Sequence, residues 1–127
     1  MKPITDIRVG DILTRPKALG IVTHRGVVFA PNLILQNTPH KGEHLATIQE
    51  FSGGKPVQVH RTGANPSIVT ARAQAVLANP QKYDVFKNNC EHTAAKVVDG
   101  IAKSPQLGFF AILALASAAL FLASKKG

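Results

Sequence analysis

His24-Arg25-Gly26-Val27-Val28-Phe29-Ala30-Pro31-Asn32-Leu33-Ile34-Leu35-Gln36-Asn37 is the stretch on which the fold turns. Two β-rich runs flank Pro31-Asn32, a turn pair, and the whole reads as an antiparallel hairpin. Outward toward the amino terminus, Val9-Gly10 supplies a turn and Asp11 to Arg15 a short apolar strand that Pro16 stops. On the other side, Ala46 to Phe51 and Val57 to His60 flank Ser52-Gly53-Gly54-Lys55-Pro56, and this arrangement predicts a second hairpin. Four to five antiparallel strands are therefore expected.

The period then changes. From Pro66, apolar residues Ile68, Val69, Ala73, Val76 and Leu77 recur at helical spacing until Asn79-Pro80, which predicts a helix of about three turns. Tyr83 to Phe86 alternates like a short strand. Asn88-Asn89 supplies caps for a second helix from Cys90 to about Ala102, with Ala94, Val97, Val98 and Ile101 as its apolar face and Gly100 weakening its end. The expected fold class is α+β: a small antiparallel sheet packed with two helices, plus a carboxy-terminal hydrophobic helix.

That tail stands apart in composition. The chain has 127 residues, 45% of them apolar, yet Leu107 to Ala123 holds 15 apolar residues in 17. As a helix it would be about 26 Å long, bracketed by Lys103 and by Lys125-Lys126, with no polar stripe, and it reads as a membrane anchor better than as a buried helix. The expected division is residues 1–104 as a folded domain and 105–127 as the anchor, with the domain on the cytoplasmic side.

Fifteen Lys and Arg against seven Asp and Glu leave a formal charge of +8. The cations are scattered, Trp is absent and Tyr83 is the only tyrosine, a pattern that argues against nucleic-acid binding and for an anionic membrane surface. This composition also excludes intrinsic disorder and a coiled coil as the main description. The amino terminus lacks an apolar stretch of signal-peptide length. A single cysteine, Cys90, forbids an intramolecular disulfide and a cysteine zinc cage, and suits a reducing compartment.

Cys90 is also the most informative local residue. At the first turn of a helix a thiol faces unpaired amides and the positive end of the helix dipole, a setting that favours the thiolate and offers donors to an oxyanion, among them the Cys90 amide. A base is then needed, and the residues offer His24, His40, His44, His60 and His92. His24 begins a core strand with Gln36 on its neighbour, where a side-chain amide can accept from the second imidazole nitrogen and set the tautomer. The competing reading is ordinary: a cysteine near a helix start is often a small buried hydrophobe. His40 and His44 have the i, i+4 spacing of a metal pair, but Pro39 and Gly42 oppose a helix there, and no metal or cofactor is expected. His60 reads as a strand-end surface residue. Glu91 suits the helix dipole and His92 a hydrogen bond to a neighbouring strand.

Asn89-Cys90-Glu91-His92 resembles the signature of the lecithin:retinol acyltransferase-like family, which includes the HRAS-like phospholipase A/acyltransferases. In the same order, Gly10-Asp11-Ile12-Leu13, His24-Arg25-Gly26-Val27-Val28-Phe29, Ile34-Leu35-Gln36-Asn37-Thr38-Pro39 and Ala71-Arg72-Ala73 are similar to that family's other segments. The resemblance implies a permuted papain-like fold, Cys90 as a nucleophile that forms an acyl-thioester, His24 as its base and Gln36 at the third, orienting position. Gln36 stands where the family usually has His, and Thr93 where an aromatic residue commonly follows the signature. The implied function is that of a membrane-anchored acyltransferase or phospholipase acting on a phospholipid or other acyl ester. A papain-like peptidase or amidase, and a non-catalytic membrane-tethered interaction module, are the alternatives.

Overall fold

The computed structural model describes residues 6–17, 20, 22–101, 104, 106, 107 and 112–115. Five strands, β1 (Ile12–Lys17), β2 (Val22–Ala30), β3 (Leu33–Thr38), β4 (Gly42–Ala46) and β5 (Gln58–His60), form one antiparallel sheet in the order β4-β3-β2-β1-β5. Among the described residues, helices α1 (Ile48–Ser52), α2 (Pro66–Ala78) and α3 (Cys90–Val98) accompany it. The α+β class and the first hairpin agree with the sequence reading. Among the described residues no helix is long and apolar enough to cross a membrane. Most of the expected anchor, 105–127, lies outside the described residues.

The second hairpin does not form. Residues 46–51, read as a strand, mostly belong to α1, because Thr47 and Glu50 close a capping box in which each side chain takes the other residue's backbone N–H. Gly53 ends this helix at φ 55°, a left-handed conformation that glycine adopts without steric cost. The strand partner of β3 is instead β4, across the turn Pro39-His40-Lys41, and β5 pairs with β1. Tyr83 to Phe86 is likewise not a strand. The Asp84 carboxylate accepts the amides of Phe86 and Lys87 and rolls the segment into a turn closed by a single bridge to Asn88.

Two apolar layers lie on opposite faces of the sheet, as strand alternation requires. One joins Val27 and Leu35 to Val69 and Ala73 of α2 and to Ala94 and Val97 of α3. The other joins Leu13, Val28 and Ile34 to Phe51 of α1 and to Val57. Gly26 lies beneath this second layer: a Cβ there would fall 2.5 Å from Ile34 Cγ2 and 2.9 Å from the Phe51 ring. Its missing side chain lets Phe51 descend onto the sheet.

Helix α3 is held at both ends. Asn89 Oδ1 accepts the amides of Glu91 and His92, and His92 Nδ1 accepts the Asn89 amide, so His92 completes a cap and, among the described residues, bonds no neighbouring strand. At the other end Arg72 of α2 donates to the Val98 and Val97 carbonyls, where a cation complements the helix dipole. Helix α3 therefore stops at Val98, short of the expected Ala102. Midway, the buried Glu43 carboxylate of β4 accepts from Thr93 Oγ1 (2.6 Å), Lys96 Nζ (2.9 Å) and the Gln81 amide (2.8 Å). Burial pushes the Glu43 carboxyl up, but these donors outweigh it and hold the group below the usual range.

Two substitutions test this packing. Glu43→Ala leaves Lys96 and Thr93 without their buried acceptor, and urea unfolding should show a loss of about 3 kcal/mol. Gly26→Ala forces a methyl into Ile34 and Phe51, with an expected loss of about 2 kcal/mol by the same measurement.

Candidate active site

Strands β2 and β3 pair from Ala30↔Leu33 to Gly26↔Gln36 and no further, although β2 runs back to Val22 and β3 on to Thr38. The sheet is forked there. The amino-terminal end of α3 lies across the fork, tied to both prongs. On β3, Asn37 Nδ2 donates to the Asn88 carbonyl (2.8 Å) and to Thr93 Oγ1 (3.1 Å). On β2, the Cys90 thiol donates to the Thr23 carbonyl at 4.0 Å, and Glu91 Oε2 lies 3.7 Å from Arg25 Nε.

His24 and Gln36 line the fork and meet directly, with His24 Nε2 2.9 Å from Gln36 Oε1. His24 is 3% exposed and stacks on Phe51 with ring centroids 5.1 Å apart. Arg15, paired with His24 on β1, donates to the Phe51 carbonyl and places its guanidinium 5.9 Å from the same ring. Burial lowers the His24 pKa to about 4, with Arg15, Lys17 and His44 lowering it further and the Gln36 hydrogen bond opposing them. The imidazole is thus neutral near pH 7.

Cys90 is buried at the first position of α3, one residue after the cap. Its thiol hydrogen lies on the backbone of the residue preceding His24, and among the described residues no sulfur–imidazole hydrogen bond is formed. Of the first-turn amides, those of Glu91 and His92 go to Asn89 Oδ1 and that of Thr93 to the Asn89 carbonyl. The Cys90 amide has no protein acceptor among the described residues, which leaves a donor free beside the sulfur. A cavity of about 180 Å3 opens here, lined by Cys90 with Lys17, Val22, Tyr83, Val85 and Leu107.

Glu91 does more than complement the dipole. Its Oε1 accepts from Ser104 Oγ (2.7 Å) and the Gln106 amide (2.9 Å), while the Gln106 side chain pairs with the Thr23 backbone. Ser104 and Gln106 are therefore strapped beside the sulfur. His60 is exposed at the end of β5, hydrogen-bonded to Thr14, and His40 is exposed in the β3–β4 turn. No group of three or more His, Cys, Asp or Glu that could hold a metal occurs among the described residues.

His44 has a different place from the one its spacing to His40 suggested. It stands directly across from Gln36 on β4, with its Nε2 3.0 Å from Gln36 Nε2 and its Nδ1 2.8 Å from the Gly42 carbonyl. The signal for it was the short turn that ends at Gly42: pairing Thr38 with Gly42 sets Gln36 opposite His44.

Residues 34–103 match the sequence profile of the lecithin retinol acyltransferase family. No curated protein matches the chain at a significant level. The family match begins after His24, takes in Gln36 and Cys90, and spans more than half of the 127 residues. With the antiparallel sheet and a capped cysteine helix already in place, this chain belongs to the lecithin retinol acyltransferase family.

Proposed function

We propose that the protein is a cysteine-dependent acyltransferase or phospholipase acting on lipid acyl esters, with Cys90 as nucleophile, His24 as its base and Gln36 orienting His24. The observation that carries this reading is the fork: a helix amino terminus lies across it with its thiol on the carbonyl of the residue before His24, and His24 is a neutral buried imidazole whose Nε2 is held by an amide.

In the first step the thiol hydrogen turns from the Thr23 carbonyl to His24 Nδ1, and the sulfur attacks the ester carbonyl carbon. The resulting oxyanion accepts from the Cys90 amide. Collapse breaks the ester C–O bond, and His24 returns its proton to the departing alkoxide, leaving an acyl-thioester. Water or an acceptor nucleophile, deprotonated by His24, then takes the acyl group and frees the sulfur, which regains a proton from His24.

A lipid source for the acyl group is supported by the surface around the cavity. Phe86 is 74% exposed and Val85, which lines the cavity, 48% exposed, and Lys82 and Lys87 flank them. Exposed apolar side chains between cations suit the boundary of an anionic bilayer. The apolar stretch after Gln106, strapped at its start beside the sulfur, acts in this reading as the anchor that keeps the site at the membrane.

Intact mass spectrometry of the full chain after incubation with diacylphospholipid vesicles should show one acyl increment, removed by hydroxylamine and absent in Cys90→Ala. Folded wild-type protein that takes up no acyl group from any of several phospholipids would overturn the reading. His24→Phe should slow adduct formation by about 10²–10⁴-fold.

The neutral imidazole also has a consequence for stability. The folded-state pKa, about 4, lies below the ordinary 6.5, so the unfolded chain binds the proton more readily between those values. Stability is full above pH 6.5 and falls as the pH drops toward 4. Burial of His24 should account for a loss of about 3 kcal/mol across that window, measured by urea unfolding at each pH and absent in His24→Phe.

A further inference from the structure

We infer that His44 is a positioning residue that sets the orientation of the Gln36 amide and, through it, the tautomer of His24. The inference rests on the acyl-transfer reading only for its consequence, since the hydrogen-bond logic stands without it. A carbonyl can only accept, so the 2.8 Å contact between His44 Nδ1 and the Gly42 oxygen puts a proton on Nδ1. In neutral His44 the lone pair is then on Nε2. Gln36 Nε2, 3.0 Å away, donates to it, which turns the amide oxygen toward His24. That oxygen accepts from His24 Nε2 at 2.9 Å, so His24 carries its proton on Nε2 and its lone pair on Nδ1.

An amide side chain has no such direction of its own. Turned by 180°, Gln36 would present its NH2 group to His24 Nε2, and the imidazole would have to carry its proton on Nδ1. The nitrogen that must receive the thiol proton would then be occupied. The imidazole that the family usually places at position 36 has a ring tautomer, whereas a glutamine there depends on its neighbour across the β3–β4 hairpin. His44, Gln36 and His24 thus form a relay that begins at a backbone oxygen.

The test is the ring protonation of His24 in the full chain, labelled with 15N-histidine in detergent micelles and read by long-range 1H–15N correlation at pH 8. The expected wild-type result is His24 protonated on Nε2 and His44 on Nδ1. His44→Phe should raise the Nδ1-protonated share of His24 to about half, because the two amide orientations become nearly equivalent. In Gln36→Glu/His44→Phe the carboxylate accepts whichever way it turns, and Nε2 protonation should return. His24 protonated on Nδ1 in wild type at pH 8 overturns the inference and needs no variant, and so does His44→Phe retaining Nε2 protonation alone. The expected tautomers with no acyl adduct on Cys90 would sink the acyl-transfer reading and leave this relay standing.

Discussion

One buried carboxylate holds the architecture around the site. Glu43, on the edge strand β4, accepts a hydroxyl and an ammonium from α3 and an amide from the chain that follows α2. A buried carboxylate with three donors has its acceptor capacity met and its charge paired, so each donor is committed to a fixed position. The angle at which α3 crosses the sheet, and with it the place of Cys90, follows from that commitment. Thr93 is central here: its hydroxyl donates to Glu43 while accepting from Asn37, a polar junction that an aromatic residue could not make.

With α3 so placed, its amino terminus spans the gap left where β2 and β3 part. Donors and acceptors at the parting meet across it: Asn37 Nδ2 donates to the Asn88 carbonyl and to Thr93 Oγ1, and the Thr23 carbonyl accepts from Cys90 and Gln106. His24 and Gln36 occupy the same gap, covered by Phe51, which reaches the sheet because Gly26 has no side chain. Desolvation there keeps the imidazole neutral. In the proposed reaction, the base is thus served by apolar cover as much as by its hydrogen-bond partners.

Several of these features were readable in the order of residues. The Pro31-Asn32 turn between two β-rich runs, the helix start at Pro66, and Asn89 before Cys90 are local signals whose chemistry acts within a few residues. The errors also have local causes. Ala46 to Phe51 has strand-like apolar content, but the Thr47–Glu50 capping box stabilises a short helix that this content hides. Tyr83 to Phe86 alternates, yet Asp84 captures two backbone amides and spends them on a turn.

Legible in the residues alone were the α+β class, the first hairpin and the cysteine at a helix start, because turn chemistry, capping and strand alternation are short-range effects, while five histidines stayed open as its partner. Tertiary structure alone decided that β5 pairs with β1, that Glu43 clamps α3, and that α3 lies across the parted ends of β2 and β3. Each of those depends on which strand becomes the neighbour of which, and that choice is made by packing between residues far apart in the chain, where a periodic pattern carries no address.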